Sequence, residues 1–492
     1  MSSTRSWSPS VCAPTPTSSG ASGSRPAPTA VSPRWPACRG SGPASSGRSC
    51  APWRTARRSR PTGCGGGRPR SMEAPPFQIH VCERERREPG FIVLPVGKAV
   101  RAISRDSEFE ALVALDRDGK IAWQWRSPGN RSLMDVKRTP RDTLLVLTTD
   151  GCILEVAQPG ETIRAWSSPG RSPQAENAIP VDTLYFHHSV QELPDGNFAA
   201  LSLTTRTFDD YPLSENDIAG PRGRRELAGD TVVEFTADGT VVREHDFFDI
   251  IDPHRIGYGL DAPFWTIAEV APGAADWTHA NGLIHDPSDD SFIVTVRHQD
   301  CAIKIDRQSG ALRWILGTPD GWREPWASKL LKPAGRPDWF WHLHDPSLMQ
   351  DGCLLLFDNG ESGAFPPAPK RDIDTLVSRA IAYRIDERAM TCAPAWSFEG
   401  PYSMYVSGAC ELPQTGNIFV TFGGITLTRP EGARTDLPPK GYGSAEVFEV
   451  TRADPPEILF HAELNDRDGD AAQGWAIFRA ERVPPDWFGG SA

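Results

Sequence analysis

The chain has 492 residues, of which 39% are hydrophobic and 16 are Trp, enough for a large buried core. Its formal charge of −11 conceals a split: the first 72 residues hold eleven of the 52 basic residues and none of the 63 acidic ones. The remainder is strongly acidic, which argues against a nucleic-acid partner, and no apolar run reaches the length of a membrane span.

Residues 1–75 are rich in Ser, Arg, Pro, Gly and Ala and lack aliphatic periodicity. Such a segment cannot bury enough apolar surface to offset its ordering entropy, so a disordered extension is expected there. It has no apolar core of a secretory signal, which leaves a cytoplasmic reading by default. Its arginine-rich, acid-free makeup is that of a transit peptide or a basic tail. The ten Cys are scattered without a CxxC pair, so a zinc knuckle is not expected and buried free thiols are.

From about residue 90 one phrase recurs: an alternating apolar strand, an Asp-containing turn, then a strand carrying Trp or aliphatic residues. It reads ALVALDRDGKIAWQW from Ala111, VVEFTADGTVV from Val232, AIKIDRQSGALRWIL from Ala302, IAYRIDERAMTCAPAWSF from Ile381 and EVFEVTRADPPEILF from Glu446. These are the signs of tight hairpins. A second phrase precedes each copy: SVQELPDGNFAALS from Ser189, NGLIHDPSDDSFIVTV from Asn281, DPSLMQDGCLLLF from Asp345, ACELPQTGNIFVTF from Ala409 and, more weakly, DVKRTPRDTLLVLTTD from Asp135. Together they predict an all-β, six-bladed β-propeller over residues 76–492. Five blades fall at 133–168, 187–248, 279–317, 344–399 and 407–464. The sixth combines 90–126 with a strand at 475–483, closing the ring from both chain ends. Segments 203–229, 249–276 and 318–341 are predicted as loops at the channel mouth, with no more than short helical turns.

Several histidines stand where inner strands begin. His187 and His188 open one, His279 the next, His342 and His344 the one after, and Arg297 ends the strand following His279. Inner strands of a propeller converge on its axis, so these side chains are expected to face one another. Imidazoles and a guanidinium together make a small cationic pocket suited to sulfate or phosphate oxygens. Imidazole also supplies a nucleophile or a proton carrier near neutral pH. His187, His285, His298 and His342 read as supporting residues, and the many Trp as core between blades. Clustered imidazoles leave two other readings open: a copper- or zinc-dependent propeller enzyme, and a non-catalytic anion-binding propeller.

The phrases HHSVQELPDGN at 187–197, DWTHANGLIHDPSDDSFIVTVRHQDCAIKID at 276–306 and HDPSLMQDGCLLLFDNG at 344–360 resemble the arylsulfotransferase family. DPHRIGYG at 252–259, WILG at 314–317 and SRAIAYRID at 378–386 add to the likeness, which spans about 90–480. The resemblance implies transfer of a sulfuryl group from a phenolic sulfate ester to a phenol through a sulfohistidine, without the sulfate donor PAPS, a metal or another cofactor. It implies His344 as the nucleophile and His188, His279 and Arg297 as the groups holding the sulfuryl oxygens. Asn281 and Ser407 match polar positions of the family's site, with His187 and His342 beside the substrate. Members from bacteria are often exported. This chain has Ser189 where the family usually has Asp, and Asp345 where it usually has Thr. A carboxylate next to the nucleophile is expected either to raise its basicity or to repel sulfate.

Overall fold

The computed structural model describes residues 74–99, 107, 109–169, 177–426, 443–465 and 474–488. The expected extension at 1–75 lies almost wholly outside them. Six mainly antiparallel sheets account for the described chain. In chain order, the first runs Gly474–Ile477, Phe91–Ala99, Phe109–Leu115, Ile121–Arg126, with Glu481–Val483 also paired to Phe91–Ala99. The last two strands of the chain therefore share a sheet with Phe91–Ala99, near its described beginning. The next begins at Leu133–Arg138 and the third at His187–Glu192. The last three begin at Ala280–Asp286, His344–Leu348 and Gly408–Glu411. Phe91–Ala99 and Glu481–Val483 pack against Leu133–Arg138, each later sheet's first strand packs against the first strand of the next, and Gly474–Ile477 packs against the sheet begun by Gly408–Glu411.

The middle strands are apolar on both faces because both faces are covered. Leu144–Thr148 and Ser291–Val296 are buried at every residue. Outer strands alternate instead, as in Val241–Asp246, because only one of their faces meets a neighbour. Six apolar clusters result, each between two successive sheets. Val93, Leu112, Val136 and Leu154 belong to one, and Leu94, Val113, Val447 and Phe460 to the one joining the last sheet to the first. Each fully buried side chain of this kind contributes about 1.5–3 kcal/mol.

Two features differ from the sequence expectation, at 203–229 and at 77–82, whereas the helices of 249–276 are the short turns expected of it. Segment 203–229 is not a loop: Phe198–Pro212 and Arg222–Phe235 continue through it as one long hairpin. Its outer half alternates half-buried and exposed residues, so no apolar signal marks the strands. The segment at 249–276 follows one four-residue helix, Phe247–Ile250, and carries another, Phe264–Ile267. Phe77–Cys82 adds a fifth strand to the sheet begun by Gly408–Glu411, pairing with Ile458–Leu464.

Candidate active site

The inner strands break register where the sequence places its histidines. The irregularities fall between His187 and Val190, Ala280 and Gly282, and His344 and Ser347, with another between Leu133 and Asp135. Such bulges re-aim side chains. The backbone is left-handed at His188, His279, Asp345 and Ser407, with φ of 55, 49, 49 and 84°. Left-handed geometry costs about 1–2 kcal/mol for each non-glycine residue, so packing around the bulges must hold it.

Polar side chains lace each inner strand to the next. Asp135 Oδ2 accepts from Val190 N–H at 3.1 Å, Ser189 Oγ from Leu283 N–H at 3.3 Å, and the Asp345 carboxylate from Ala409 N–H. A Cβ on Gly408 would sit 2.1 Å from Asp345 Oδ2, so glycine makes room for that carboxylate. This explains the departures at Ser189 and Asp345: Ser, Asp and Thr all offer an oxygen to a backbone N–H. Asn281 belongs to the same lacing by its side chain, and Ser407 by its backbone N–H, which donates to Phe478 O at 2.8 Å. Asn281 Nδ2 donates to Leu343 O at 2.9 Å and its Oδ1 accepts from Thr295 Oγ1 at 2.7 Å. Ser407 Oγ meets Ser403 Oγ at 2.8 Å and accepts from Gly423 N–H at 3.0 Å.

Arg479, which the sequence reading missed, sits at the centre of these strands and is 1% exposed. Its guanidinium donates to Asp345 Oδ1 at 3.1 Å and to the carbonyls of Asn281 and His188 at 2.7 and 3.2 Å. The Asp345 charge is thus directed at Arg479. Lys137 Nζ stands 4.0 Å from the same carboxylate.

His188, His279 and His344 are 3%, 7% and 2% exposed. The first two rings lie 5.0 Å apart beside Phe264. Each ring has its Nδ1 engaged, and among the described residues none has a hydrogen bond at Nε2. His188 Nδ1 meets His187 Nδ1 at 2.9 Å, and His187 Nε2 lies 3.1 Å from Asp230 Oδ1 without hydrogen-bond alignment. His279 Nδ1 meets Asp276 Oδ2 at 2.6 Å, while Trp265 Nε1–H donates to the other oxygen at 2.8 Å. His344 Nδ1 faces Asn359 Oδ1 at 2.6 Å and His342 O at 3.2 Å. Both partners accept only, so Nδ1 carries the hydrogen and neutral His344 has its lone pair on Nε2.

Arg297 closes the set. Its backbone N–H donates to His279 O at 3.4 Å and its Nη1 to His298 Nε2 at 2.7 Å. An arginine only donates, so His298 is neutral, with its Nδ1–H donated to Asp276 O at 2.8 Å. Stacking of His298 on His279 at 4.7 Å then buttresses the pocket. A cleft whose lining includes Glu215, Asp261, Arg297, His342, Glu361 and Lys370 reaches the guanidinium, which Glu361 approaches at 3.9 Å. His342 faces this cleft, its Nε2 3.2 Å from Tyr258 O, whereas His187 is wholly buried beneath His188.

Burial pushes His188, His279, His298, His342 and His344 well below the usual imidazole value of 6.5. For His344 the Arg297 cation is the next cause, followed by smaller effects that include Arg479 and His279. His279 and His344 both act on His188, so the three imidazoles share one electrostatic neighbourhood. Burial raises Asp276 to about 7.

Among the described residues, two clusters have the donor types of a metal site. In Asp276, His279 and His298 both nitrogens of His298 are already hydrogen-bonded, one of them by a guanidinium. In Asp286, Asp289 and Glu387 the ammonium of Lys304 reaches all three carboxylates at 2.6–2.9 Å. Neither cluster presents a free set of lone pairs to a cation.

The arylsulfotransferase (ASST) family model matches residues 89–469. The chain belongs to this family. Among its members, the arylsulfate sulfotransferase AssT of Escherichia coli O6:H1 is 30% identical, over 40% of this chain and 39% of its own. That of Lelliottia amnigena is 29% identical over 36% of each. The chain thus spans about two fifths of the length of the curated family members it matches. A solved structure from Bacteroides caccae, a protein of unknown function, aligns over 80% of this chain and 99% of its own. Its TM-score is 0.41 and its identity 10%, a likeness that bears on no residue of the arylsulfotransferase site.

Proposed function

We propose that this arylsulfotransferase-family chain moves a sulfuryl group from a phenolic sulfate ester to a phenol through a sulfohistidine at His344. The six sheets are proposed as six blades of one closed propeller, supported by the apolar cluster between every successive pair. The single observation that carries the chemistry is the pair of acceptor oxygens at His344 Nδ1, which calls for the hydrogen there and leaves the lone pair on Nε2. In the first half-reaction that lone pair attacks sulfur, the S–O bond to the aryl group breaks, and the electron pair leaves as phenolate. Arg297 holds the sulfuryl oxygens as negative charge builds, and His188 and His279 join it when they carry a hydrogen on Nε2, which requires Nδ1 to accept from His187 and from protonated Asp276. In the second half a phenolate attacks sulfur and the N–S bond returns its pair to Nε2. The Asp276–His279 pair carries the phenol's proton in either direction. Asn281, Ser407, His187 and His342 support the pocket, the first two through the strand lacing. Nothing in these steps calls for PAPS, a metal or another cofactor.

Incubation with 4-nitrophenyl sulfate should release nitrophenolate steadily only when a phenol is present, with the phenol recovered as its sulfate ester. Release indifferent to the acceptor would indicate a hydrolase. Sulfate binding without release would leave an anion-binding propeller. Dialysis against a strong chelator should leave the rate unchanged; a loss restored by zinc or copper would favour the metal-dependent alternative.

The pH dependence follows from the buried imidazoles. Attack needs neutral His344, whose pKa is held well below 6.5. Activity is therefore full above that ordinary value and declines as pH falls through the lowered one. Because 4-nitrophenolate leaves without a proton, the kcat/KM profile for 4-nitrophenyl sulfate between about pH 4 and 8 reports His344 rather than the Asp276–His279 pair and should keep its plateau through 6.5. An acid limb centred at or above 6.5 would contradict the assignment.

A further inference from the structure

We infer that Asn359 sets the reactivity of His344, holding it in the Nδ1–H form and, as an amide, leaving the sulfurylated ring able to give up its group. The inference rests on His344 as the nucleophile. Asn359 follows the strand Leu354–Asp358 and is fully buried. Its Nδ2 donates to Ser403 O at 2.8 Å and Val406 O at 3.2 Å. Two carbonyls can only accept, so the amide has one orientation, with Oδ1 toward His344 Nδ1. Ser378 Oγ–H donates to Asn359 O at 2.7 Å, which pins the backbone as well.

The neighbouring imidazole shows the contrast. His279 Nδ1 meets the Asp276 carboxylate, a partner that favours a positively charged ring. His344 meets a neutral amide. When Nε2 gains the sulfuryl group, the Nδ1–H ring becomes cationic, and that charge makes it a good leaving group in the second half-reaction. A carboxylate in place of Asn359 would neutralise the charge and strengthen the N–S bond. The amide fixes the nucleophile's tautomer without that penalty. Asn359 is thus a positioning residue that acts through His344.

Two measurements test this. Nitrogen-15 spectra of histidine-labelled protein, with the His344 signals identified by their loss in His344→Gln, should show a protonated Nδ1 and a bare Nε2. The opposite tautomer overturns the inference whether or not the protein transfers sulfate. In Asn359→Asp, rapid mixing with 4-nitrophenyl sulfate should preserve the initial burst of nitrophenolate. Transfer to the phenol should then slow by about tenfold or more, the scale of a one-unit change in leaving-group basicity. Equal slowing of both steps would reduce Asn359 to a structural role and overturn the inference. The expected tautomer in a wild-type protein that releases no nitrophenolate would end the sulfotransferase reading while upholding the tautomer. If Asn359→Asp does not fold, the spectra of the wild type still decide.

Discussion

His344→Ala should abolish sulfuryl transfer, lowering turnover of 4-nitrophenyl sulfate by at least about a thousandfold, because the proposed covalent route loses its nucleophile. The other groups about the sulfuryl oxygens stay in place. His188 is held by His187, His279 by Asp276, and Arg297 by His298, none of them through His344. The variant should therefore still bind an aryl sulfate, as calorimetry can show. Folding should survive, since the change leaves Asn359 Oδ1 and His342 O short of one donor, a cost of about 1–3 kcal/mol. His285→Ala is the matched control. His285 pairs with Asp290 at 2.9 Å, away from the register break that aims the site, and its loss should leave the rate within about twofold. Undiminished release by His344→Ala would remove the covalent mechanism, whatever the control does.

Arg479→Met should be the most destabilising single change near the site, by about 3–5 kcal/mol in denaturant unfolding. It leaves the buried Asp345 carboxylate with Lys137, 4.0 Å away, as its remaining counter-charge, and takes the shared donor from the carbonyls of His188 and Asn281. It also removes a cation that pushes His188 and His344 down, so any surviving activity should show an acid limb moved to higher pH. The double variant Arg479→Met, Asp345→Asn discharges that carboxylate and should recover more than half of the lost stability. A single variant within about 1 kcal/mol of the wild type would show that the arginine is not the clasp its contacts describe.

The two variants probe parts of the molecule that differ in how legible they are from sequence. His344 stands at the head of a strand whose apolar alternation and turn are local properties, so the strand and its histidine can be located without tertiary information. Arg479 lies in a short segment with no periodic signal. Its importance comes from three partners 134, 198 and 291 residues away along the chain. Asn359 falls between the two: it lies in the FDNG phrase, but nothing local says that its Oδ1 faces an imidazole rather than solvent.

The sequence by itself determined where most hairpins lie and which histidines open the inner strands, because periodicity and turn chemistry are short-range. It could not recover the hairpin at 203–229, whose charged, partly exposed outer half has no apolar stripe to announce it. Nor could it choose between His187 and His188 or between His342 and His344. In each pair one or two positions separate the rings, and a register break with left-handed backbone sets where each lies. His342 lies on the cleft, His344 against Asn359, and His188 between His187 and His279. Only the tertiary structure assigned each Nδ1 its partner, aimed the Asp345 charge at Arg479 and closed His298 to a metal. Those outcomes depend on side chains delivered from different strands to one buried volume, where burial makes every unpaired polar atom costly and so selects one arrangement.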